Sequence, residues 1–344
     1  YTVLELGAFR ALRCCHVLYD AASMTDPVDR IMQVTKWFLT SVETMEDFNK
    51  KPFNPVLGEE LNSWIEGRPE DGPTYIKGEQ VSHHPPISAC VMRNDKHNVE
   101  YISNVRFAIT FHGNSVSCNL DGHSQVDFKN LGETYLAPKW VPDVVIQNVL
   151  FGTRRQLWRG HWEMQCEKSG LGVKYEVTEE SAGGWFSSSV FSNIIKGFVY
   201  RLDDPDQCPI REFEGLAGLK INHTMDGEEA EFIDGKALKF HDLQWLPKEC
   251  RPERSSLNVW EKAALALEAE DMGAAETEKC AVEMQQRELR NERREKGEEW
   301  VPVFFALDEA DDAWKPLPNA YQHPWDMLNG AEPLNANNLA SDVK

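Results

Sequence analysis

Apolar residues recur at helical intervals in the first stretch of the chain: Leu4, Phe9, Leu12 and Val17, then Ile31, Val34, Phe38 and Val42. Asp26-Pro27 between the two runs is a helix start signal, an N-cap residue followed by proline at the first helical position. From about Leu61 to Trp245 the texture changes to short β-rich runs, among them Val99–Val105, Phe107–Phe111, Val116–Leu120, Val144–Val149, Gly160–Cys166 and Val173–Val177. Gly113-Asn114 and Asp121-Gly122 read as turns between them. Hairpins at this spacing predict an antiparallel meander, and a long meander must close or fold over to hide its edges. A large closed barrel also leaves room for a ligand. No strand–helix alternation supports a doubly wound or (β/α)8 fold.

After Pro252 the pattern switches again. Asn258 to Lys296 is rich in Ala, Glu, Leu, Lys and Arg and predicts a long helix, with Gly273 as its one break. Trp300 to Trp325 is an aromatic and proline-rich tail expected to lie against the barrel. The chain therefore reads as one unit over 1–344: N-terminal helices (1–48), a β-barrel (49–247), and a C-terminal helical subdomain with its tail (248–344).

Composition narrows the functions open to this fold. The net charge of −20, from 36 basic and 56 acidic residues, argues against nucleic acid and against a polybasic membrane anchor. An anionic ligand would have to be held by a few local cations in a pocket shielded from that field. No apolar run reaches the length of a membrane-spanning helix. The eight cysteines are scattered without a C-x-x-C pair, which suits reduced thiols in a cytoplasmic protein. Asn222-His223-Thr224 matches a glycosylation acceptor, read here as chance. The start at Tyr1 reads as that of a fragment.

Three segments carry candidate chemistry. In Glu79-Gln80-Val81-Ser82-His83-His84-Pro85-Pro86 two adjacent histidines would point to opposite faces of a regular strand. The prolines end regular pairing, so both rings can serve one ligand. No further ligand stands at metal-binding spacing, so no metal and no cofactor are expected. In Lys50-Lys51-Pro52-Phe53-Asn54-Pro55-Val56-Leu57-Gly58-Glu59 two prolines force an extended backbone beside a lysine and the Asn54 amide. Taken alone, this segment reads better as a helix-to-strand connector with solvated lysines. Lys279, Glu283 and Arg287, four apart, share one helix face, as an ordinary salt-bridged stripe also does.

The Lys51–Glu59 and Glu79–Pro86 segments resemble the signature motifs of the oxysterol-binding-protein-related family. Weaker likenesses extend over nearly the whole chain: Thr35-Lys36-Trp37-Phe38, Arg251-Pro252-Glu253-Arg254, Gln286-Arg287 with Arg290, and Trp300-Val301-Pro302-Val303-Phe304-Phe305. The resemblance implies a mainly β fold, a large near-closed antiparallel β-barrel that encloses one lipid, with N-terminal helices plugging it. It also implies that phosphatidylinositol 4-phosphate is exchanged for a second lipid, sterol or phosphatidylserine, between membranes, with the protein cytoplasmic, peripheral and at organelle contact sites. Carried over residue by residue, the headgroup site falls on Lys51, Asn54, His83, His84, Lys279, Glu283 and Arg287. A monoester phosphate, with roughly −1.5 to −2 charge and three acceptor oxygens, suits a histidine pair with Lys and Arg.

Family members carry a lid over the barrel mouth that this sequence does not clearly show, which leaves the second lipid open. A lipid-regulated sensor or scaffold is the alternative to transfer. An enzyme is disfavoured by the absence of a Gly-x-Ser-x-Gly elbow and of a carboxylate placed to orient His83 or His84. Phe304-Phe305 ahead of acidic residues looks like a docking motif for the endoplasmic reticulum, but its place in the tail favours a structural role.

Overall fold

A computed structural model of the chain describes residues 1–42, 52–182, 190–225 and 227–335. Three helices come first: α1 (Val3–Leu12), α2 (His16–Ala22) and α3 (Pro27–Leu39). A capping box opens α1, the Thr2 side chain accepting from Glu5 N–H and the Glu5 carboxylate from Thr2 N–H. Asp26 caps α3 as expected, accepting from the N–H groups of Val28 and Asp29, with Pro27 in the first turn. Phe9 departs from the predicted apolar face. Five residues beyond Leu4 it lies about 140° round the helix, and it is 42% exposed while Leu4, Ala8, Ala11 and Leu12 are buried.

The body is one antiparallel sheet. Its strands are β1 (Glu60–Ile65), β2 (Thr74–His83), β3 (Pro86–Asn94), β4 (Val99–Phe111), β5 (Ser115–Phe128), β6 (Glu133–Ala137), β7 (Asp143–Gln147), β8 (Arg155–Cys166), β9 (Leu171–Ala182), β10 (Val190–Arg201), β11 (Arg211–Leu216), β12 (Lys220–Met225), β13 (Glu228–Asp234) and β14 (Gln244–Trp245). The order is β13-β12-β11-β10-β9-β8-β6-β5-β4-β3-β2-β1-β14, with β7 pairing both β5 and β8. α1 packs on β1–β3 and α3 on β9 and β10, so strands far apart in the sheet meet one helical plug. The sheet therefore curls nearly closed around the helices.

Aromatic rings carry the contact between plug and wall. Trp37 meets Tyr101 at 4.8 Å between centroids, and Phe38 meets Trp162 at 4.8 Å. A buried Arg30–Glu133 pair (2.7 Å), with Tyr135 Oη also donating to Glu133 (2.7 Å), ties α3 to β6. With every acceptor on Glu133 engaged, the buried charges are compensated rather than stranded.

Three local expectations are corrected. Asp121-Gly122 is no turn: β5 runs through it, because a Cβ on Gly122 (φ +152°) would lie 1.9 Å from the Asn104 carbonyl oxygen. Only glycine lets the two backbones approach so closely. The late helix is three: α4 (Ser256–Val259), α5 (Glu261–Glu268) and α6 (Met272–Lys296). The break falls at Glu270, whose positive φ (57°) ends α5, and Asp271, which caps α6; Gly273 sits inside α6. The tail also holds a hairpin, β15 (Phe305–Asp308) with β16 (Ala313–Pro316), and β17 (Leu334–Asn335), which pairs with β14. No described helix is long and apolar enough to cross a membrane.

Candidate functional site

The site is built from the turn between β2 and β3. β2 starts as a fully buried strand, and its register with β3 shifts between Gln80 and Ser82. The Gln80 side chain holds that irregularity, donating to the Ser82 carbonyl (2.8 Å) and accepting from Ser88 Oγ (2.6 Å). Val81 anchors in a small core with Ile87, while His83 pairs with Pro86 to close the turn. The two imidazoles end 4.7 Å apart, inclined at 66°. The two rings therefore lie side by side at the proline-ended turn.

Two other elements meet this turn. The Pro55 carbonyl lies near enough to the His83 ring to favour its charged form, and His83 Nδ1 is buried without a hydrogen-bond partner. From the C-terminal helix, Arg290 Nη1 donates to His84 Nε2 at 3.3 Å. Burial is the main reason that the His83 pKa lies below its ordinary value; His84 and Arg290 add to the depression, and Glu283 opposes it. The ring is thus held neutral at neutral pH.

The expected site residues divide in position. His83, His84 and the charge of Glu283 come together, and Asn54 is exposed on the segment that supplies the Pro55 carbonyl. Lys279, Glu283 and Arg287 do share one face of α6, as a surface ladder: Glu283 accepts from Lys279 at 3.3 Å and from Arg287 at 3.4 Å. Arg287 is largely exposed (65%), and the residue that reaches the histidines is Arg290. Lys51 lies outside the described residues. Arg290 was left out of the expected set although helical periodicity held the signal. It stands seven residues, about two turns, beyond Glu283 and so on the same stripe.

Buried acids hold the parts in register. Glu59 accepts from Val56 N–H (3.0 Å), Ser256 Oγ (2.7 Å) and Trp260 Nε1 (2.8 Å), and so ties the proline-rich segment to α4 and α5. Phe53 stacks on Trp260 at 4.5 Å. Gly58 must be glycine: its φ is +76° and a Cβ would strike the Trp300 ring at 2.4 Å. Glu79 accepts from Val303 and Phe304 N–H (2.9 and 2.8 Å), so this member of the eight-residue segment clamps the tail. Phe305 is buried against Val81 and Ile87, in keeping with the structural reading of the two phenylalanines.

A family model described as "Oxysterol-binding protein" matches residues 3–266. The chain belongs to the oxysterol-binding protein family. Among relatives in this family, oxysterol-binding protein-related protein 8 of Mus musculus is 29% identical over 330 residues, covering 91% of this chain and 34% of its own. The "Probable transporter efuK" of Hormonema carpetanum is 30% identical over 299 residues, covering 84% of this chain and 42% of its own. This chain thus spans about a third of the length of the first of these relatives. The fold is that of the Osh1 ORD domain solved in complex with cholesterol (TM-score 0.73, 20% identity, 95% of this chain and 82% of that one). It is likewise that of the Osh3 ORD of Saccharomyces cerevisiae solved in complex with PI(4)P (TM-score 0.70, 20% identity, 95% and 85%). The family model ends ahead of α6, so the part of the site on that helix rests on its geometry alone.

Proposed function

We propose that this oxysterol-binding protein family member binds phosphatidylinositol 4-phosphate by its headgroup and exchanges it for a second lipid, sterol or phosphatidylserine, between membranes. One observation carries the reading: the His83–His84 turn meets Arg290 across the chain, with His83 Nδ1 buried and unpartnered. A buried polar atom without a partner is uncommon, and a phosphate oxygen is the acceptor that a protonated ring there would seek. The headgroup site comprises Lys51, Asn54, His83, His84, Lys279, Glu283 and Arg287, extended by Arg290. The cargoes named for the Osh1 and Osh3 domains, on the same fold, support a sterol and PI(4)P as ligands. The test is transfer of labelled phosphatidylinositol 4-phosphate between donor and acceptor liposomes. Binding without transfer would leave a lipid-regulated sensor in its place.

Two expectations follow from the geometry. Arg290→Ala lowers headgroup affinity by about tenfold or more, as loss of a charge-assisted contact does. Arg287→Ala has the smaller effect, because its guanidinium is solvated and already paired with Glu283. Titration of a short-chain, water-soluble phosphatidylinositol 4-phosphate ranks the two, and a reversed order would discard the role of Arg290.

The second concerns protons. The free His83 pKa lies below 6.5, and a bound phosphate raises it. The complex therefore takes up a proton, and affinity rises as pH falls through the bound-state value toward the free one. The phosphate itself gains a proton near pH 6, which sets the lower end of the window at about 6. Calorimetry at pH 7 in buffers of differing ionisation enthalpy reads the uptake directly. Zero uptake, or uptake unchanged in His83→Ala, would remove His83 from the phosphate.

A further inference from the structure

The strand register puts a second feature on the rim that holds the histidine turn. Ile87, next to that turn, pairs with Arg106 of β4. β4 then runs on through Phe111, about 17 Å farther at the usual rise of a strand. Its hairpin with β5 stands proud there, and β7 pairs alongside it through Ser115↔Gln147.

The tip is apolar and exposed. Ile109 and Phe111, on one face of β4, are 68% and 60% exposed, and Leu150 and Phe151, in the turn between β7 and β8, are 61% and 76% exposed. The face is continuous with the core, since Val105 is buried in it and Phe107 packs against it. The turn is rigidly built. Asn114 Oδ1 accepts from both Leu150 and Phe151 N–H (3.0 Å each), and its Nδ2 donates to the Phe151 carbonyl (3.1 Å). Asn148 Nδ2 donates to the Thr153 carbonyl (2.8 Å). Backbone groups that would otherwise need water are thus satisfied within the tip, which lowers the cost of entering a medium without water.

Charge selects the occupant. Residues 105–120 and 144–162 hold four arginines (Arg106, Arg154, Arg155 and Arg159) and no Asp or Glu, in a chain with 56 acidic residues among 344. Arg106 pairs with Asp312 and Arg159 with Glu179, while Arg154 is exposed at the tip. A convex apolar tip with arginine at its base, on a strongly acidic protein, matches an anionic bilayer: side chains enter the acyl boundary while guanidinium groups stay with the headgroups.

We propose that Phe111, Leu150 and Phe151, with Arg154 beside them, form the docking surface by which this domain seats on an anionic lipid bilayer, bringing the histidine turn to the membrane. The inference rests on the headgroup reading above for its purpose, but it is tested separately. The probe is flotation of the 344-residue chain with vesicles of phosphatidylcholine containing or lacking phosphatidylserine. Wild type is expected to float with the anionic vesicles, more weakly as salt rises. L150S/F151S is expected to bind at least about tenfold more weakly, and F111S several-fold, from lost apolar burial. Both variants should keep wild-type affinity for the short-chain soluble phosphoinositide, which needs no bilayer and also reports an intact fold. Wild-type flotation of L150S/F151S, no flotation of the wild type, or a wild-type dimer that this variant dissociates would each overturn the proposal. Loss of soluble headgroup binding in His83→Ala/His84→Ala with flotation retained would support both assignments; if soluble binding persists there, the headgroup reading fails and the docking surface stands.

Discussion

Replacing His83 and His84 together by alanine is expected to lower affinity for phosphatidylinositol 4-phosphate by at least about a hundredfold, with little change in the unfolding midpoint. The size follows from the chemistry of a phosphate taken from water. Each charge-assisted contact to a phosphate oxygen contributes about 1.5–3 kcal/mol, and loss of two leaves oxygens desolvated without donors. The fold depends little on the two rings. His84 Nε2 only accepts from Arg290, and His83 Nδ1 has no partner at all, so their removal costs the apo protein about 1 kcal/mol or less. Extraction from liposomes gives the first quantity and urea denaturation the second. Wild-type extraction by the double variant would move the headgroup elsewhere. A collapse in stability would instead make the histidines structural.

How far the sequence disclosed this arrangement depended on the range of the forces involved. The Asp26-Pro27 start of α3, the turn at Gly113-Asn114 and the β-rich runs of the strands are local, and each was legible. Local preference failed where a distant group decided the outcome. Asp121-Gly122 has the composition of a turn, yet the close passage of Asn104 makes the glycine a strand residue. Phe9 fell on the wrong face because loosely spaced apolar residues do not define a stripe. Within the site, the histidine turn was legible because prolines and adjacent rings are a local signal. Arg290 was not singled out: helical periodicity puts it on the stripe of Glu283, but only the packing shows that it, among the arginines of that helix, reaches His84. Glu59 and Glu79 stood in both quoted motifs, but neither composition nor spacing distinguishes a buried clamp from a ligand contact.

Glu59 leads to the largest effect expected on stability. Its carboxyl is fully buried and takes three donors from two segments nearly 200 residues apart, so Glu59→Ala strands Val56 N–H and Trp260 Nε1 and unties α4 and α5 from the proline-rich segment. At about 1–3 kcal/mol for each buried donor left without a partner, the loss should reach about 3 kcal/mol or more. α6 packs on α5, so the same variant should also weaken headgroup binding by loosening Arg290. Titration separates Glu59 from other buried acids. Burial outweighs its three donors and pushes its pKa from the ordinary 4.5 up to about 7. In that interval the folded state holds a proton that the unfolded state releases. The contribution of Glu59 is therefore fully present below about pH 4.5 and falls as pH rises to about 7, by up to about 3 kcal/mol. Glu59→Gln keeps the shape of the protonated acid without the titration: its amide can donate to Ser256 Oγ while its carbonyl still accepts from Val56 N–H and Trp260 Nε1. The glutamine variant should match the wild type near pH 5 and exceed it in stability at pH 8, as urea denaturation at the two pH values will read. Glu60 and Glu79, whose pKa values burial also raises, are common to both proteins and cancel in the difference, while the nearby Glu5 adds to the rise at Glu59 and so forms part of that difference. Parallel pH profiles for the two proteins would show that Glu59 stays ionised, and its three donors would then outweigh the cost of burying its charge.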